Sequence, residues 1–217
     1  MFYRLLVADI GFIFLNIAAQ AMAWLHLARS VPVILNIGHP YSVPSFFLYI
    51  EWFAISGLFF VLRFRDQEPV FMSLAIIFAG LFLDDAFELH EFLGRELARI
   101  LSIPEFAHLI DQDRGEPIAW VLIGSFYLAI LLLALPKSSA TARKVAFTFV
   151  RLFILLAFFG IVTDFIHALI KGIEGVDTRV VSFAMKLVED GGEMVVGSLM
   201  LATVYALYHS NQASRPH

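Results

Sequence analysis

Apolar residues along this chain of 217 residues run in blocks longer than the strands or amphipathic helices of a soluble domain. Six blocks predict helices near residues 4–28, 46–64, 70–93, 117–136, 146–171 and 183–209. Each approaches the roughly 20 apolar residues that cross a hydrocarbon layer about 30 Å thick. Proline and glycine punctuate the intervals, at Pro32, Gly38, Pro40 and Pro44, at Pro69, at Pro104, Gly115 and Pro117, and at Pro136, where helices tend to stop. The pattern predicts an all-α integral membrane bundle of about six transmembrane helices, one domain over residues 1–217. Between the third and fourth blocks, residues 94–117 set Leu97, Ile100 and Leu101 against Arg95, Glu96 and Arg99, which suits a helix lying in the membrane interface. The first block, with Arg4 ahead of it and "AQAMA" behind, has some features of a secretory signal. Asp9 and Asn16 interrupt it, so an uncleaved first span is expected.

Composition sharpens the class. The chain is 60% hydrophobic and 16% charged, with a mean hydropathy of +0.82, well outside the range of soluble domains. A net charge of −4 and the absence of a basic patch exclude nucleic acid as a partner. No cysteine is present, which removes disulfides, thiolate nucleophiles and thiolate metal sites. The 23 phenylalanines read chiefly as lipid-facing bulk. Lysine and arginine in short loops set orientation: Arg63 and Arg65, then Lys137, Arg143 and Lys144, fall on the side of Arg4 and Arg215. Both termini are therefore expected in the cytoplasm, with the bundle in an inner membrane.

The chemistry lies in the acids. "GLFLDDAFELHEFLGRE" (80–96) ends an apolar block with Asp84, Asp85, Glu88, His90 and Glu91. Because spans alternate in direction, this end of the third helix meets Glu51 of the second, Asp164 and His167 of the fifth, and Glu189, Asp190 and Glu193 of the sixth. On an unbroken third helix, Asp84, Glu88, Glu91 and Arg95 fall within about 40° of one another and His90 points away. Asp164 and His167 share a stripe with Lys171, and Glu189 and Glu193 share one with Lys186. "EDGGE" (189–193) has two glycines that serve either close packing or room around a site. His26, His39 and His108 lie at predicted boundaries and read as surface histidines.

A carboxylate near the bilayer centre costs around 2.5–3.5 kcal/mol on insertion scales, so these stripes are expected to face inward. Nine acids against Arg95, Lys171 and Lys186 leave a large negative excess that protons or cations must offset. Carboxylates with one or two imidazoles suit iron or manganese, and carboxylate-bridged di-iron bundles use related pairs on facing helices. The expected ligands are Glu88, Glu91, Asp164, His167, Glu189 and Glu193, with Asp84, Asp85, Asp190 and Glu51 as supporting or alternative contacts. A zinc site of His90, His167 and one acid is a second arrangement.

"LDDAFELHE" (83–91) and the later "EDGGE" (189–193) resemble a loose group of uncharacterised bacterial multi-pass membrane proteins. They share an LDD-x-F-x-LHE element and a later Glu-Asp-Gly element. The resemblance implies that the two segments belong together; it implies no activity. Where a basic residue after the glycine is expected, this chain has Gly192 and Glu193. Three functions fit the residues. The first is a metalloprotein, an oxidoreductase or hydrolase acting on a lipid-soluble small molecule that enters from the bilayer. The others are a proton or cation transporter using the acids as a relay, and an accessory subunit whose acids meet a membrane protein partner.

Overall fold

The computed structural model describes residues 1–104, 110–171 and 178–213, excepting the side chains of residues 111, 113, 171, 178 and 211–213. It is helical throughout, with no strand among the described residues. In chain order the helices are α1 (Phe2–Trp24), α2 (Val43–Asp66), α3 (Pro69–Phe87), α4 (Leu89–Ile100), α5 (Asp111–Ala134), α6 (Ala140–Ala157), α7 (Thr163–Lys171) and α8 (Thr178–Ala213). Six stretches are long and apolar enough to cross a membrane; the fifth combines α6, a π-helical turn at Phe158–Val162 and α7. This is an integral membrane protein.

The block predicted over 70–93 divides in two. α3 ends at Phe87, and Glu88 takes the left-handed conformation at φ 51°, ψ 43°. That geometry is costly for a residue with a Cβ. The side chain of Asp84 offsets the cost by accepting the backbone N–H of His90 at 2.8 Å, which caps the opening turn of α4. The angular stripe drawn along an unbroken helix therefore ends at Glu88. The expected interfacial helix is α4, which begins earlier than residue 94; residues 105–109 of that segment lie outside the described residues. α5 starts at Asp111 and runs through Pro117, adding a turn ahead of the predicted fourth block.

α4 and α5 form a hairpin that crosses at two glycines. A Cβ on Gly94 would lie 2.9 Å from the Glu116 nitrogen, and one on Gly115 would collide with the Gly94 carbonyl. Backbone meets backbone here, and the start of α4 is carried along α5 so that His90 stacks near Trp120.

From the middle of the bundle toward the opposite end the core is packed with aromatics. Phe59, Phe78 and Phe149 are fully buried; the Phe59 and Phe149 rings meet edge to face at 4.8 Å, and Phe78 and Phe149 at 5.7 Å. Lipid gives helices no hydrophobic reason to associate, so such packing carries much of the cohesion. The loops at this end are closed by polar contacts. Val70 N–H donates to Ser138 Oγ at 3.0 Å, Ser139 N–H donates to Glu68 Oε2 at 2.9 Å, and Arg65 donates to the Tyr208 carbonyl at 2.9 Å. α1 is inverted relative to these: its buried residues are Asp9, Asn16 and Ala19, while Val7, Ile10 and Phe14 face outward.

Candidate functional site

Where α3 ends, the helices spread around a cavity of about 640 Å³. α2, α3, α4, α5, the α6–α7 junction, α8 and the loop at 37–40 all contribute to its wall. Among the described residues eight carboxyl side chains line it: Asp85, Glu88, Glu91, Glu116, Asp164, Glu189, Asp190 and Glu193. Lys186 is the one lysine or arginine among the described lining residues. His39, His90 and His167 complete the polar wall.

Two sets of three side chains within it offer converging ligand atoms. Asp164 and His167 of α7 meet Glu189 of α8, and His90 and Glu91 of α4 meet Glu116 of α5; within each set the atoms lie within 4.8 Å of one another. His167 is fully buried. One helical turn separates it from Asp164, which puts both on one face of α7. Glu116 and Asp164 also line one small cleft between α5 and α7, so the two sets adjoin.

The break at Glu88 explains the second set. It turns α4 so that His90 Nδ1 lies 2.8 Å from Asp84 Oδ2, with the ring 4.8 Å from that of Trp120. Burial pushes the imidazole toward its neutral form. The hydrogen bond to Asp84 and the negative charges of Asp84, Glu116 and Asp85 more than offset this, raising its pKa to about 8.

The π-helical turn has a similar positioning role. Gly160 lies inside it, and a Cβ there would collide with the carboxylate of Glu193. Such turns recur at functional sites, and here the turn lets a carboxylate rest against bare backbone. In "EDGGE", Gly192 packs under the ring of Phe159 and Gly191 against Ile13, so these glycines serve close packing.

Of the residues singled out from sequence, Glu91, Asp164, His167 and Glu189 stand in the two sets. Glu88, Asp190 and Glu193 line the same cavity. Asp85 lines it too and accepts a hydrogen bond from Trp52 Nε1 at 2.7 Å. Asp84 is buried behind the wall, bonded to His90. Glu51 lies outside the cavity, buried, accepting from Ser198 Oγ at 2.7 Å. His90 and His167 fall in different sets, so the arrangement uniting both imidazoles with one acid is not the one formed. The Lys171 side chain and His108 lie outside the described residues. His39, read as a surface residue, lines the cavity.

Sequence reasoning passed over Glu116 as a ligand. It precedes Pro117, and the helix was expected to start there; Gln112, which donates no signal of its own, also lines the cavity one turn earlier. An acid within one turn of an apolar block, facing another acidic helix end, was the available clue.

One family profile, described as Domain of unknown function (DUF8692), matches residues 5–208, and the chain belongs to that family. No curated protein and no solved structure matches it.

Proposed function

We propose that this member of the DUF8692 family is a membrane metalloprotein that binds two divalent cations, iron or manganese, one in each set of three ligands. The observation that carries the reading is the pairing of Asp164, His167 and Glu189 with His90, Glu91 and Glu116 in one cavity. Mixed carboxylate and imidazole donors suit these ions. The contact between Asp84 and His90 is the second-layer support that orients a ligating imidazole. Among the described residues eight lining carboxyls face one lysine, which also favours cation uptake, because a low-dielectric wall holds so many unbalanced charges only at high cost. When bound, the ions supply Lewis acidity and, for iron or manganese, redox chemistry; metal-dependent oxidation and metal-assisted hydrolysis both draw on such a centre.

A lipid-soluble substrate fits the apolar part of the wall. Gly124 and Leu128 of α5 and Ile154 of α6 line the cavity and are exposed on the outer surface, which supports lateral entry between α5 and α6. In this reading the protein residues bind and orient the substrate's polar end while the aromatic core beneath shuts out water. Arg63, Arg65, Lys137, Arg143 and Lys144 support placing the opposite end, with both termini, in the cytoplasm.

Elemental analysis of the purified chain tests the proposal. Iron or manganese is expected at about two ions per chain, with His167→Ala and Glu116→Gln each losing about half. Absence of iron, manganese and zinc above background, with a melting curve unmoved by chelator, overturns it.

A further inference from the structure

A second buried polar centre lies behind the cavity wall, and its leading member is a residue that looked like a mere interruption of the first span. Asp9 of α1 is fully buried, and neither of its carboxyl oxygens has a hydrogen-bond partner. Glu51 of α2 is equally buried; Oε1 accepts from Ser198 of α8, and Oε2 has no partner. Ser198 also lies beside Asp9, but a hydroxyl has one proton, and at 2.7 Å that proton is engaged with Glu51. α1 and α2 both pack on α8, the helix that carries Ser198. Among the described residues no ion pair reaches either acid. Each acid lies about 10 Å or more along its own helix from the nearer end, within spans that cross the membrane.

Two ionised carboxylates without a counter-charge are among the most expensive things a protein interior can hold, and close acidic pairs resolve the conflict by keeping a proton. The hydrogen-bond inventory points the same way. The cluster has three oxygens with no donor, and a proton on either acid supplies one while removing a charge. The packing leaves little space for a larger ion: a Cβ added at Gly197 would lie 2.9 Å from Glu51 Oε2 and 2.7 Å from Leu48 Cδ1.

We propose that Asp9 and Glu51, with Ser198 beside both, form a proton-binding site inside the bundle that carries at least one proton in the folded chain. This site is separate from the metal-binding reading and stands or falls independently of it. It gives the inverted first helix a purpose: α1 brings an acid to α2 and α8 where an apolar residue would pack more cheaply.

Infrared difference spectroscopy on the purified wild type, Asp9→Asn and Glu51→Gln, in ordinary and heavy water, tests it. The expected result is a protonated-carboxyl C=O band in the wild type that shifts in heavy water and is lost or displaced in each variant. Both variants should melt within about 3 °C of the wild type, since each amide keeps the size of the acid it replaces and adds no charge. No such band, or a band unchanged in both variants, overturns the proposal. So does a rise of the wild-type melting temperature with sodium or magnesium chloride that vanishes in both variants, because that marks a cation site.

Discussion

The two ends of this bundle solve opposite problems with the same helices. Toward the basic loops, α2, α3, α6 and α8 close on Phe59, Phe78 and Phe149 with their rings in contact. Toward the acidic end, α3 breaks, α6 loosens into a π-helical turn and the helices part around a cavity rich in carboxyls. The departures from regular helix geometry at Glu88 and in the π-helical turn each bring a polar side chain to the wall. The backbone irregularities are thus tied to the chemistry: Glu88 turns His90 toward Glu116, and Gly160 admits Glu193.

The largest expected effect on stability lies at the aromatic end. Phe78→Ala removes a ring that touches those of Trp52, Phe59, Phe149 and Phe153. It should destabilise the chain by about 4 kcal/mol, read from a denaturation midpoint in detergent, while metal content per folded chain stays at the wild-type value. Loss of metal in proportion to loss of stability would mean that the two ends are one cooperative unit and would abolish the contrast.

Trp52 straddles the boundary, with its ring 5.8 Å from Phe78 and its Nε1 on Asp85. Trp52→Phe keeps much of the ring and deletes the donor. A buried acceptor deprived of its partner costs about 1–3 kcal/mol, so a loss of about 2.5 kcal/mol is expected. Unlike Phe78→Ala, this variant should also alter metal content, since Asp85 belongs to the cavity wall. A change in stability alone would assign Asp85 to packing.

Much of this division was legible in the sequence. Six apolar blocks mark the spans, and alternating direction alone brings the acids of four helices to one end. What was not legible turns on local geometry. Nothing at Glu88 announces a left-handed residue, since it is neither glycine nor asparagine, and without that break the angular argument sends His90 away from the acids it joins. Glu116 was hidden because proline ahead of an apolar block usually marks a helix start, whereas α5 continues through Pro117. The polar residues of α1 were visible, but Asp9 acquires its meaning only when α2 and α8 pack against it.

The smallest expected effect is a pH dependence confined to the acidic end. In the metal-stripped chain, the contact between His90 and Asp84 holds the imidazole's pKa near 8, against an ordinary 6.5. The protonated form is thus favoured by folding. Its contribution is fully present below pH 6.5 and is lost as pH rises through about 8, amounting to about 2 kcal/mol. Chelated wild type should therefore lose stability across that window relative to His90→Gln, whose side chain does not titrate. Phe78→Ala, altered at the other end, should keep the full wild-type pH slope. A slope that persists in His90→Gln would place the titrating group elsewhere in the acidic wall, and a slope that vanishes in Phe78→Ala would show that the carboxylate end depends on the aromatic core for its geometry.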